Sequence, residues 1–201
     1  MNPIYSLLFA YFLGGIPFGY LLVKLMKRQD IREIGSGNIG ATNVVRAAGR
    51  LAGGLTLVLD IGKGYLAVWL AGRLAHGSEA WMSAAALAVM AGHAFPVYLR
   101  FRGGKAVASC IGAFLCLTPL PLAAVLVVWV VTAAVTRYVS LASIASAACL
   151  PLAVWMVSHP PAAVVAAAAL ASGFIIWRHK SNIERLRAGS EHVLSLGSRR
   201  S

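Results

Sequence analysis

Residues 35–46 hold the densest set of groups able to bind an anion: Gly35, Ser36, Gly37, Asn38, Gly40, Thr42, Asn43 and Arg46. Glycines let successive backbone amides turn toward one ligand, the serine, threonine and asparagines add neutral hydrogen bonds, and Arg46 adds charge. The same residue types also make ordinary turns between helices. Two further clusters share this character. Gly92, His93, Phe95 and Pro96 lead through Arg100 and Arg102 to Gly103, Gly104 and Lys105, where two flexible amides, a helix start and a lysine suit a phosphate group. Arg178, His179, Lys180, Asn182, Arg185 and Glu191 form the third cluster. There His179 and Glu184 stand about 140° apart around a helix, which disfavours an acid–base dyad, whereas His179 and Asn182 share a face. Arg185 and Glu191 read equally as solvated tail charges. Ser143, one turn into an apolar run, is a further candidate, although a serine in a membrane helix commonly bonds its own backbone.

Gly35, Gly37 and Gly40 also match the spacing of a dinucleotide-binding loop, with Asp60 downstream. That pattern needs a preceding strand and an acid on the next strand, while here long apolar runs flank the glycines and Asp60 lies inside one of them. What remains is local: glycine-permitted amides beside a helix start make a concave anion site. Asp60 and Lys63 are three apart in an apolar run and are expected to form an ion pair, structural rather than catalytic. Cys110, Cys116 and Cys149 lack the spacing of a zinc site or a disulfide framework and read as buried small hydrophobes. No metal and no cofactor is expected.

The elements that position these clusters follow from composition. Of 201 residues, 59% are hydrophobic and 12% charged, and the mean hydropathy is +0.77. A soluble fold of this size has no means of hiding so much apolar surface, so the solvent is lipid. The net charge of +12 then marks one side of a bilayer rather than a nucleic-acid partner. Seven apolar runs fall at 4–26, 51–74, 80–99, 105–118, 120–136, 139–157 and 162–177, each expected to be helical because lipid satisfies no open sheet edge. The fourth is the shortest and stops at Thr118 and Pro119, so runs four and five also fit a re-entrant hairpin. The alanine-rich third and seventh runs suit close helix packing.

The first run precedes its positive charges, unlike a signal peptide, and is expected to be retained. Of the 18 lysines and arginines, 16 fall in loops of one side, including Arg199 and Arg200 in the tail; Lys63 lies within a run and Arg73 near the far side. The predicted fold is a single-domain all-α integral membrane protein over 1–201, with about seven transmembrane helices. Its N-terminus is outside, and the tail 178–201 is cytoplasmic and part of the same domain.

In this order and spacing the three clusters resemble the three motifs of the bacterial acyl-phosphate:glycerol-3-phosphate acyltransferase family. The resemblance covers almost the whole chain: residues 35–46, then Gly92 and His93 through Gly103, Gly104 and Lys105, then His179, Asn182, Ile183, Arg185, Leu186 and Gly189. Lys180 stands where arginine is expected, Ala106 where glycine is usual and Ser109 where threonine is usual. The resemblance implies transfer of a fatty acyl group from acyl phosphate to the 1-hydroxyl of glycerol 3-phosphate, giving lysophosphatidic acid and phosphate, an early step of phospholipid synthesis. It implies catalytic roles for Ser36, Arg46, Lys105, His179 and Asn182. Gly37, Asn38, Gly40, Thr42, Asn43, His93, Gly103, Gly104 and Ser143 would contact the substrates. The expected setting is the bacterial cytoplasmic (inner) membrane, among its lipid, with the site on the cytoplasmic side and no nucleic acid involved. The soluble enzyme that makes acyl phosphate is a candidate to dock on the basic face. A transporter or channel for a phosphorylated metabolite is the alternative, although such proteins usually place their site near the midplane and often carry inverted repeats.

Overall fold

The computed structural model describes residues 4–193, so Arg199 and Arg200 of the basic tail lie outside the described residues. Nine α-helices and no strand occur among the described residues: α1 Ile4–Gly15, α2 Phe18–Lys27, α3 Ala41–Leu74, α4 Glu79–Ala94, α5 Val107–Leu117, α6 Pro119–Thr136, α7 Val139–Ser158, α8 Ala162–Arg178 and α9 Lys180–Arg187. Each predicted apolar run is helical, but not each is a simple span. Five helical stretches are long and apolar enough to cross a membrane, or six if α8 and the bent α9 count as one. With 11 residues, α5 is about 16 Å long and falls short of the hydrocarbon core.

Two boundaries differ from the sequence reading. The first run is broken at Ile16 and Pro17, because proline supplies no amide to continue α1. Residues 41–46, predicted as loop, open α3 instead. Its first two turns form an arm set off by Gly49, whose φ of 88° only glycine adopts cheaply.

Around this frame α3 packs against α4 and α5, α1 against α4, α6 against α7, and α8 against α4 and α7. Small residues set the separations. A Cβ on Gly112 would stand 1.9 Å from the Ile61 carbonyl oxygen, so α3 and α5 touch backbone to backbone. Ala85 and Ala86 of α4 and Ala167, Ala168 and Ala171 of α8 are buried, as the alanine-rich runs predict. Leu25, Val58, Leu120, Val127 and Val135 are exposed on the outside, the surface lipid covers. Cys149 is exposed there too, contrary to its predicted burial, whereas Cys110 is buried.

Candidate active site

The first cluster is closed upon itself around Asn43. This buried side chain accepts from the Ser36 amide at 3.0 Å and donates to the carbonyls of Ile34 and Asn38, each at 2.9 Å. Gly35 and Gly37 take φ of 57° and 69°, which turn the chain around that amide. The Gly37 amide donates to Ile34, and the Gly40 amide to the Asn38 side chain at 2.8 Å. The expected nest of free amides is therefore engaged in the loop's own structure, and Asn43 acts as its clip. Ser36, Asn38, the first-turn residues Ala41 and Thr42 of α3, and Arg46 line the cavity beside this loop. The α3 N-terminus supplies orphan amides and a positive dipole end.

The second cluster also uses its glycine amides internally. Gly103 and Gly104 donate to the carbonyls of Ala94 and His93, both at 3.1 Å. A Cβ on Gly104 would stand 2.2 Å from His93 Nε2, and one on Gly103 2.2 Å from the His93 carbonyl oxygen. Glycine is required there for close approach rather than as a phosphate donor. The Gly103 and Gly104 carbonyls accept from Arg178, with Nη2 at 3.0 Å and Nε at 3.2 Å from Gly104. The Arg178 guanidinium is stacked on Phe95 at 5.2 Å. Ala106 then takes φ 61° before α5, a left-handed conformation that costs an L-residue about 1–2 kcal/mol and that glycine would adopt more readily.

This path delivers Lys105, whose Nζ donates to Asn182 Oδ1. Burial first, and then the positive charge of Arg185, pull its ammonium down to about 8, with Glu191 opposing and Arg178 and Arg46 adding to the fall. Asn182 Nδ2 donates to Glu191 at 3.0 Å, so its oxygen is the end turned to Lys105. Arg185 pairs with Glu191 at 2.9 Å; these are not the solvated tail charges that the sequence equally allowed. Burial raises the Glu191 carboxyl, but hydrogen bonds from Asn182 and Arg185 outweigh it and hold it below the usual range.

His179 sits at the α8–α9 bend, with Nδ1 2.8 Å from the Ile175 carbonyl. A carbonyl only accepts, so Nδ1 carries the hydrogen and Nε2 of the neutral ring is bare. Burial, and next the charge of Lys105, hold the ring neutral by pulling it down to about 4. Ser143 donates to its own-helix Val139 carbonyl at 2.9 Å and accepts from Trp129 at 3.3 Å, the self-bonded state a membrane serine favours.

Two adjoining cavities gather these groups. One, of about 510 Å³, is a polar mouth lined by Ser36, Gly37, Asn38, Gly103, Lys105, Arg178 and Arg185 among others. The other, of about 480 Å³, includes Gly40, Thr42, Asn43, Arg46, His93, Ser143, His179 and Asn182 in its polar wall. It continues between helices along Leu57, Ile61, Ile111, Leu126, Trp129 and Val130. Ser36, Asn38 and Lys105 line both. Of the predicted site residues only Gly104 lines neither, since it lies behind the wall against His93. Sequence reasoning missed Arg178 as a clamp, because an arginine at the end of an apolar run reads as a headgroup anchor. It also left Glu191 aside, with no signal that the tail folds back onto Asn182.

Among the described residues no group of histidine, cysteine and acidic side chains could hold a metal ion. A helical bundle in lipid, whose cationic mouth shares a wall with an apolar cavity, defines a class: an integral membrane protein that handles an anionic headgroup beside a lipid chain. Residues 4–189 match the family described as glycerol-3-phosphate acyltransferase. Relatives of that name include one from Desulforamulus reducens, 48% identical over 183 residues covering 90% of each chain. Another, from Jannaschia sp., is 49% identical over 185 residues, 92% of this chain and 89% of the relative. The fold is similar to that of PlsY (YgiH), an integral membrane glycerol 3-phosphate acyltransferase, in its glycerol 3-phosphate form. The TM-score is 0.92 at 37% identity, covering 97% of this chain and 96% of that one. The lysophosphatidic acid form matches with a TM-score of 0.89 at 35% identity over the same shares. The chain belongs to the glycerol-3-phosphate acyltransferase family and is an acyltransferase of the integral membrane type. The transporter alternative gives way to that assignment.

Proposed function

We propose that the protein moves a fatty acyl group from acyl phosphate to the 1-hydroxyl of glycerol 3-phosphate, giving lysophosphatidic acid and inorganic phosphate. The observation that carries this reading is the wall of Ser36, Asn38 and Lys105 common to a polar and an apolar cavity. A water-borne phosphate ester enters one side and an acyl chain lies in the other, so their reacting groups meet at that wall. Lys105, with Arg46 and Arg185 nearby, supplies the charge that two phosphate groups need. The relatives solved in glycerol 3-phosphate and lysophosphatidic acid forms support the same pair of molecules.

In the proposed step the hydroxyl oxygen bonds to the acyl carbon, the carbon–oxygen bond to phosphate breaks, and phosphate leaves. A phosphate oxygen of the donor takes the hydroxyl proton, so the leaving group departs as hydrogen phosphate and no acyl-enzyme forms. Of the carboxylates near the site, Asp60 is engaged with Lys63 and Glu191 with Asn182 and Arg185, while Glu184 lines the polar mouth but not the wall that the two cavities share. The mixed anhydride is already activated, so holding the reactants in register supplies much of the acceleration.

Purified protein given glycerol 3-phosphate and acyl phosphate should release lysophosphatidic acid and phosphate in equal amounts, and none with an acyl thioester as sole donor. Product from the thioester alone would overturn the donor assignment, and a trapped acyl-serine or acyl-cysteine would overturn direct transfer. In the same assay His179→Gln should lower kcat by less than about tenfold; a loss of roughly 10²–10⁴-fold would make its bare Nε2 the general base.

The basic loops of one side support an odd number of traverses, with the N-terminus outside and the site facing the cytoplasm of a bacterial inner membrane. With the native cysteines replaced, a membrane-impermeant thiol label added to intact cells should reach Ser78→Cys, between α3 and α4, and not Lys180→Cys. The reverse pattern would invert the topology.

A further inference from the structure

Beneath the site, three ionisable side chains, Asp60, Lys63 and His93, meet inside the bundle. Asp60 and Lys63 of α3 pair at 2.8 Å with their side chains 3% and 2% exposed. Lys63 also donates to the Ile16 carbonyl at 2.9 Å, the group freed at the α1–α2 break, and its ammonium lies 5.6 Å from the Phe18 ring centre. Helix packing alone is served as well or better by an apolar pair, because burying both charges is costly.

The carboxylate has a second neighbour. His93 of α4 is 5% exposed, and its Nδ1, which has no hydrogen-bond partner, faces Asp60 Oδ1 at 3.6 Å, a polar contact longer than a hydrogen bond. The opposite ring atom, Nε2, packs against Gly104 so closely that no Cβ fits between them. The His93 carbonyl holds the Gly104 amide at 3.1 Å. Both edges of residue 104 are thus shaped by His93, and Lys105 is the next residue. Asp60 and His93 both reach the wall of the inner cavity.

We propose that Asp60 is a positioning residue for acyl transfer: its carboxylate holds the His93 ring against Gly104 and so sets where the Lys105 ammonium meets the phosphate of glycerol 3-phosphate. This rests on the reading of Lys105 as a phosphate ligand. It separates Asp60 from a residue that only neutralises Lys63.

The test uses steady-state kinetics of the whole protein in detergent, with thermal unfolding of each variant measured alongside. Asp60→Asn alone leaves Lys63 as an unpaired buried charge and is prone to unfold. The informative variant is Asp60→Asn with Lys63→Met, which restores a neutral bundle but leaves His93 without its carboxylate. Its KM for glycerol 3-phosphate should rise about tenfold, with the KM for acyl phosphate and kcat changed far less. His93→Gln, which keeps the ion pair, should show the same split, and all three changes together should add little more. Should the double variant fail to fold, His93→Gln carries the test. A wild-type KM for glycerol 3-phosphate in the folded double variant or in His93→Gln would overturn the proposal, as would a loss confined to kcat. Lys105→Met run alongside separates the two readings: if it leaves that KM unchanged, the phosphate-ligand reading fails.

Discussion

Replacing Lys105 by methionine should lower kcat/KM for glycerol 3-phosphate by about 10³-fold, the scale of losing a charge-assisted hydrogen bond to a phosphate in a partly dry site. The variant also leaves the Asn182 oxygen without its donor, so the neighbouring amide loses its orientation. A loss below about tenfold would place the phosphate elsewhere. The pH profile offers an independent check. In the free enzyme, burial and cationic neighbours hold the Lys105 ammonium to about 8. Phosphate binding needs the protonated form, which is present below that value and lost above it. The kcat/KM for glycerol 3-phosphate should therefore fall as pH rises through about 8. Lys105→Arg keeps its charge to much higher pH, so this alkaline limb should move out of range. The plateau should drop as well, since a planar guanidinium does not replace a compact ammonium.

Gly104→Ala should damage the site strongly through a single added methyl. The new Cβ would lie 2.2 Å from His93 Nε2, and that ring has little room to withdraw because it is buried with Asp60 at its other nitrogen. Either the ring leaves its place or residues 103–105 move. Overpacking of this kind costs roughly 1–3 kcal/mol, readable as a lowered unfolding temperature in detergent. A displacement of Lys105 by about 1 Å should lower kcat/KM by about 10²-fold. Wild-type kinetics in a folded Gly104→Ala protein would show that the segment yields freely and does not set the lysine.

Several features were legible in the residues because they depend on neighbours close in sequence. The Asp60–Lys63 pair follows from three-residue spacing on a helix, and the structure shows it at 2.8 Å. His179 and Asn182 were expected on one face, and both line the inner cavity. The small residues of the third and seventh runs suited close helix packing, and the helices that carry them, α4 and α8, pack against each other. Other boundaries were hidden by averaging. Hydropathy runs straight across Pro17, so the α1–α2 break and the capture of the Ile16 carbonyl by Lys63 had no local signal.

Sequence by itself determined that lipid is the solvent, that the apolar runs are helices, and that three polar clusters stand ready to meet an anion. Hydrophobicity and covalent backbone geometry dictate these whatever the packing. Only the tertiary structure decided which polar groups stay available. The Ser36 amide is taken by Asn43, and the amides of Gly37, Gly40, Gly103 and Gly104 by Ile34, Asn38, Ala94 and His93. The Gly103 and Gly104 carbonyls are taken by Arg178, more than seventy residues away. A hydrogen-bonding group is defined by its residue type, but whether it faces a ligand or a distant part of its own chain is settled when the helices pack. That is why Lys105 with Asn182, rather than the amides of a glycine-rich loop, emerges at the centre of this site.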